Sequence, residues 1–496
     1  LRYSVHCGDP AKADTATVYI KIIEKPDNIL DADCWIEPFD FEWDIKAGYQ
    51  SPAANHHNYA IPLVGDIDGD GIPEVITINY NIQYLNILWG HNKTITTIKM
   101  ATTAALDVSS GGSVCPYAMF KTKINGTDKT IIVVKGTANG ARMDAYDLNG
   151  PADQSTTPLW TVSSGGNFRE AVGIAGFDGD GIPEVYISNR IYNAHTGALL
   201  VSGTGNKGYC INAYFTIAAD VNDDGKLELI AGNEVYAVNI PNKTGTSGNS
   251  LDRIAQMQDN VTFANGAVAN DGYTVVADIN RDGKLDVIYI ATNSPGSLGG
   301  NRMLIAWDFE TGSLICKSDE VNAIKGTGVP FVGNIDDDPD MEVVFMIANR
   351  LLGYKPDFAN KKFSLAYSTT VNDESGSTGM TIFDFNNDGK AEIVYRDQTK
   401  LRIMEAIPGN PGTFSNLKDY NCTSTTSLEY PVVADVDNDG ASEIIVIGNT
   451  AGYVGNGFLW IYKSGTSDPW APARKVWNQF GYHSVNINED LTVPKQ

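Results

Sequence analysis

Histidine and cysteine are scarce in this chain of 496 residues, with six of each. Cys7, Cys34, Cys115, Cys210, Cys316 and Cys422 form no CxxC pair and no zinc-ligand spacing, which sets aside thiolate–imidazole metal sites. Basic residues are also few. The 36 Lys+Arg stand against 60 Asp+Glu, a formal net charge of −24. A nucleic-acid binder needs a basic face, so that class is excluded, and docking on anionic membranes is disfavoured for the same reason. No apolar run approaches the ~18 residues of a spanning helix, so direct membrane insertion is not expected. Helical spacing of apolar residues is missing as well. GxSxG, HExxH and phosphate-loop motifs are absent, and the chain is expected not to be an enzyme.

Glycine, tyrosine and phenylalanine are plentiful, at 49, 23 and 17 residues. With 42% hydrophobic and only 19% charged residues, the chain folds rather than staying disordered. Short Val/Ile/Tyr runs alternate with Gly/Asn/Asp turns, which predicts an all-β protein.

A nonamer recurs: DIDGDGIPE at 66, GFDGDGIPE at 176, DVNDDGKLE at 220, DINRDGKLD at 278, NIDDDPDME at 334, DFNNDGKAE at 384 and DVDNDGASE at 435. An apolar run precedes each nonamer and a β-branched run follows it, so each joins two strands. The first gap in this series is double the others. It conceals TKINGTDKT at 122–130, which keeps the strand–turn–strand frame without the acids. Asn125-Gly126 there is a hairpin-turn signal. Eight units of about 50 residues, most with four strands, predict an eight-bladed β-propeller, with seven blades as the runner-up. The ring is expected to close by pairing 41–45 with the last unit, whose third strand lies near 458–462.

Positions 1, 3, 5 and 9 of the nonamers carry side-chain oxygens. The first loop offers Asp66, Asp68, Asp70 and Glu74, and the last Asp435, Asp437, Asp439 and Glu443. Between them lie Asp220, Asn222, Asp224 and Glu228; Asp278, Asn280, Asp282 and Asp286; and Asp384, Asn386, Asp388 and Glu392. Two loops are defective. Gly176 leaves only Asp178, Asp180 and Glu184, and Pro339 takes the place of the turn glycine among Asn334, Asp336, Asp338 and Glu342. Two carboxylates ~4 Å apart repel by about 4 kcal/mol at an effective dielectric near 20. Three or four in one tight loop therefore call for a cation. Oxygen-only donors with a glycine turn select Ca²⁺, about six or seven ions in all, one per acidic loop. Full occupancy would move the net charge from −24 to about −10.

On these seven loops the chain resembles FG-GAP/VCBS repeats, the calcium-loop propeller repeats also found in integrin α-subunits, over about 57–465. The resemblance implies a propeller braced by calcium and no particular activity. Residues 1–25 resemble the last hairpin of an Ig-like or cadherin-like domain of large bacterial surface proteins, and 26–56 read as a linker with the closing strand. The propeller is assigned to 57–470. Residues 471–496 resemble the segment that follows such propellers in secreted bacterial proteins, with further domains expected on both sides. The implied role is an extracellular or cell-surface module for adhesion, with an unknown protein or glycan ligand. The alternative is a calcium-dependent polysaccharide lyase of the rhamnogalacturonan-lyase type, whose propellers carry similar loops.

Three smaller features have plainer readings. His56-His57 is expected in a surface loop. Arg281-Asp282-Gly283 spells an integrin-binding tripeptide, but its Asp and Gly belong to the acidic loop. A Cys7–Cys34 disulfide is conceivable, and the other cysteines are read as buried thiols.

Overall fold

The computed structural model describes residues 43–79, 84–100, 117–136, 142–149, 155–165, 169–211, 213–424, 426–450 and 455–494, all within the compact unit Glu42–Gln496. The hairpin expected at 1–25, and Cys7, Cys34 and Cys115, lie outside these residues.

Among the described residues the strands form eight successive antiparallel four-stranded meanders. They span 63–100, 117–163, 173–202, 217–256, 272–318, 331–370, 380–421 and 432–464, the last completed by Ile45–Gln50. The second strands, such as Glu74–Ile78, Asp286–Thr292 and Glu443–Gly448, are buried along their whole length. That is why they read as unbroken β-branched runs: both faces are covered. First strands of successive meanders are neighbours, as Met380–Phe383 is to Phe331–Gly333 on one side and Val432–Ala434 on the other. Apolar side chains fill the space between sheets. Phe120, Ile131 and Met143 meet Ile174, Val185 and Tyr192, and Tyr289 and Trp307 meet Ile230 and Val235. A four-stranded sheet hides little surface alone, so this sheet-on-sheet stacking holds the fold together. The architecture is that of a β-propeller.

The strand Ile45–Gln50 supplies the fourth strand of the last meander, running antiparallel to Asn456–Ser464 with Ile45 opposite Ser464 and Gln50 opposite Trp460. The closing partner is the expected one, but the strand begins where the sequence reading ends it. Trp43 instead packs edge-on to Phe385, 6.2 Å between rings. The acid-free repeat is present as Tyr117–Ile124 and Thr127–Lys135. Its turn residues Asn125 and Gly126 both have positive φ, 52° and 79°, as a two-residue hairpin turn requires.

Residues 473–494, set apart as a tail in the sequence reading, pack along the first strands. Val64 and Trp477 exchange backbone hydrogen bonds of 2.9 and 2.8 Å, and Met119 N–H donates to Asn478 O at 2.9 Å. Ile174 N–H donates to Gln479 Oε1 at 2.6 Å and Asn486 Nδ2 to Ala218 O at 2.7 Å. Tyr430 donates its hydroxyl to Phe480 O. Gly65 makes room for this segment: a Cβ there would sit 2.6 Å from Leu491.

His56-His57 is not a surface loop. Both residues are fully buried and pair with Gly457 and Asn456. Burial pushes their imidazoles down, to about 4 and about 3. Cys210, Cys316 and Cys422 are buried thiols.

Candidate functional site

Each acidic nonamer is the turn between the first and second strands of its meander, so all seven loops share one phase of the fold. Their local geometry follows from residue spacing. The N–H of position 2 donates to the carboxylate of position 9 in every loop. The distances are 2.7 Å for Ile67–Glu74, 2.9 Å for Phe177–Glu184, 3.2 Å for Val221–Glu228 and 3.2 Å for Ile279–Asp286. They are 3.0 Å for Ile335–Glu342, 3.0 Å for Phe385–Glu392 and 2.9 Å for Val436–Glu443. Position 7 N–H likewise donates to the position-5 Asp in all seven, as Ile72 does to Asp70 at 2.8 Å and Lys390 to Asp388 at 2.8 Å. One oxygen of each of these carboxylates is thus held by the backbone, which orients the residue.

In five loops a third clamp appears. The position-6 glycine N–H donates to the position-1 Asp: Gly71–Asp66, Gly225–Asp220, Gly283–Asp278, Gly389–Asp384 and Gly440–Asp435, at 2.9–3.2 Å. Those glycines have φ of 81–90°, a region open to glycine and strained for other residues. The two loops flagged as defective lack this clamp. Gly176 has no side chain to accept, and Pro339 has no N–H to give. An aspartate at 176 would crowd the C-terminal segment, since a Cβ there lies 3.0 Å from the Pro494 carbonyl oxygen.

Carboxylate oxygens converge within 4.8 Å in four loops: Asp66, Asp68 and Glu74; Asp178, Asp180 and Glu184; Asp336, Asp338 and Glu342; and Asp435, Asp437 and Glu443. In the 220, 278 and 384 loops position 3 is Asn. Its Nδ2 faces the position-5 Asp, at 3.3 Å from Asp224, 3.1 Å from Asp282 and 3.2 Å from Asp388. The sequence-predicted site residues all lie in the turns between first and second strands, and the 220, 278 and 384 loops are not among those whose carboxylates converge within 4.8 Å.

The position-9 carboxyls are buried, and this raises their pKa values. Burial, opposed by the backbone N–H, pushes Glu184, Glu342, Glu392 and Glu443 up to about 8. It pushes Glu74, Glu228 and Asp286 up to about 7. Glu443 Oε1 and Asp437 Oδ1 are buried without a hydrogen-bond partner. Oxygen-only donors, crowded negative charge and these orphaned oxygens fit a hard divalent cation.

Basic side chains reach into several loops from elsewhere, which the sequence reading did not foresee. Lys243 pairs with Asp178 and Asp180, Lys463 lies 3.0 Å from Asp437, and His91 Nδ1 lies 3.5 Å from Asp70. Lys355 pairs with Asp336 and Asp338. No local signal announces these partners.

The last complete acidic loops, at 384–392 and 435–443, fall in the stretch 384–446, which matches the FG-GAP-like repeat family. The hydrogen-bond frame of the loops in this matched stretch recurs in the 66, 220 and 278 loops. No curated protein matches the sequence significantly. Among solved structures, the Vibrio cholerae biofilm matrix protein Bap1 is similar over 91% of this chain and 96% of its own, with 16% identity and a TM-score of 0.57. The exotype rhamnogalacturonan lyase YesX is similar over 82% of this chain and 72% of its own, with 15% identity and a TM-score of 0.50. At these identities the likeness is one of fold.

Proposed function

We propose that this chain is an eight-bladed, calcium-braced FG-GAP-like propeller that serves as a non-enzymatic interaction module of an extracellular protein, in adhesion or matrix assembly. The recurrent acidic loop supports this reading most directly. Five loops would each hold one Ca²⁺ through positions 1, 3, 5 and 9, those starting at 66, 220, 278, 384 and 435; the 176 loop offers only Asp178, Asp180 and Glu184, with Lys243 paired to the first two. Bound calcium would offset the repulsion of carboxylates within 4.8 Å, about 3–4 kcal/mol per pair at an effective dielectric near 20. It would thereby stiffen the turn that joins the two inner strands of each blade. Seven acidic turns in one phase make a structural role for the ion a better fit than a single catalytic site.

An extracellular setting suits the reading, because millimolar calcium there saturates weak oxygen sites. The biofilm matrix role of Bap1, whose fold this chain shares over most of its length, favours adhesion over catalysis. Two measurements test the proposal. Calcium must raise the melting temperature over EDTA, since a ligand of the native state adds stability. Pull-down on immobilised polysaccharides must show retention without cleavage. Unsaturated sugar products released from acidic polysaccharide in a calcium-dependent way would replace the adhesion reading with the lyase one.

A further inference from the structure

The loop at 334–342 is built differently from the other six. Position 4 and, where it is glycine, position 6 have positive φ in the other loops, as at Asp223 and Gly225 (57° and 81°) or Asn387 and Gly389 (56° and 87°). Neither Asp337 nor Pro339 does. Position 1 is Asn334. Its Nδ2 is turned outward to donate to Gly389 O of the next loop at 2.9 Å, and its carbonyl accepts from Ala391 N–H at 2.8 Å. The usual position-1 carboxylate is therefore missing from the centre.

A side chain fills that centre instead. Lys355, from the third strand Arg350–Asp357 of the same sheet, places Nζ 2.6 Å from Asp336 Oδ2, 2.5 Å from Asp338 Oδ2 and 3.9 Å from Glu342 Oε1. Tyr367 adds a hydroxyl donor to Asp336 at 2.5 Å. In the 435 loop Lys463 stands farther off, 3.0 and 4.0 Å from Asp437 and Asp439, while Glu443 Oε1 and its counterpart Glu342 Oε1 are both buried without a hydrogen-bond partner.

We infer that the Lys355 ammonium is the resident cation of the 334–342 loop and that this loop takes no metal. The inference rests on the calcium reading of the five loops with a position-1 aspartate for its contrast, not for its geometry. The Lys355 ammonium bonds two carboxylates, Asp336 and Asp338, and at 3.9 Å offsets the charge of Glu342 without bonding it. A divalent ion would have to displace it while lacking a position-1 ligand. The loop would then act as a permanent strut. Besides the Asn334 contacts, Asp337 pairs with Lys390 at 3.1 Å and Asp340 with Arg281 at 3.6 Å, which ties it to both neighbouring acidic loops.

Hydrogen–deuterium exchange of the full chain in calcium and in EDTA tests this, together with metal content per chain. In the wild type, peptides over 384–392 should lose protection in EDTA while those over 334–342 keep it, with no more than six ions bound. Lys355→Met should strip protection from 334–342 in EDTA, and Lys355→Arg should retain it. Loss of protection at 334–342 in wild-type protein on chelation would overturn the inference, as would seven bound ions or unchanged protection in Lys355→Met. If no peptide responds to EDTA, the calcium reading fails, yet the Lys355→Met comparison in EDTA still decides the role of the ammonium. Should that variant not fold, the wild-type comparison of the two loops decides alone.

Discussion

Stripping divalent cations at pH 5 and again at pH 8 should give opposite pictures of this protein. Glu392 has its carboxyl pushed by burial from 4.5 up to about 8. Without a cation, the native state therefore keeps a proton on Glu392 across a range where the unfolded chain has lost it. Stability then falls as pH rises from about 4.5 to about 8, because the native state binds more protons than the unfolded one. At 1.36 kcal/mol per pH unit, one such group removes about 3–4 kcal/mol between pH 5 and pH 8. For a domain of this size that is about 4 °C in Tm per group, and Glu184 and Glu443 have the same direction and size. Calcium reverses the trend, because it binds the ionised carboxylates and must displace their protons. Thermal melts at four pH values, with EDTA and with calcium, read this directly. Glu392→Gln sharpens the test: it should raise the Tm in EDTA at pH 8 and lower it in calcium. A metal-free Tm that is flat or rising from pH 5 to pH 8 would refute the reasoning.

Three substitutions probe other parts of the frame by denaturant unfolding. Gly389→Ala puts a Cβ on a residue at φ 87° and should cost about 1–2 kcal/mol, with the loss visible in calcium and EDTA alike. Phe480→Ala removes a buried ring that packs edge-on to Phe215, 5.3 Å between centroids, and should cost about 3–5 kcal/mol. A loss under 1 kcal/mol would mean the C-terminal segment does not brace the inner strands. Arg396→Ala leaves the buried Glu429, now 3.1 Å from the guanidinium, without its cation and should cost about 3–5 kcal/mol. Replacing both residues by apolar ones should recover most of that loss.

The acidic loops were legible because their geometry is local. Every clamp runs between residues two to seven positions apart, as in Ile67–Glu74 or Gly389–Asp384, so spacing alone dictates where the carboxylates point. The acid-free second repeat was legible from a doubled gap and an Asn-Gly turn. The closing strand was legible as a partner but not in register, since only pairing with Asn456–Ser464 sets where it begins. His56-His57 was misread because its partners, Gly457 and Asn456, lie some 400 residues away. Two polar residues carry no mark of burial by such a distant strand.

The residues by themselves determined a β-rich chain of repeated units and seven oxygen-lined turns, through short-range spacing and the chemistry of aspartate, glutamate and glycine. Tertiary structure alone decided which charges meet in those turns. Lys355 completes one loop because a third strand returns past it, and Lys243 enters the 176 loop from the neighbouring sheet. The same holds for the segment around Trp477 and Phe480, whose partners at Val64, Met119 and Tyr430 become neighbours only when the sheets stack around a common axis. Such contacts have no period in sequence. They follow from the order in which the strands are laid side by side.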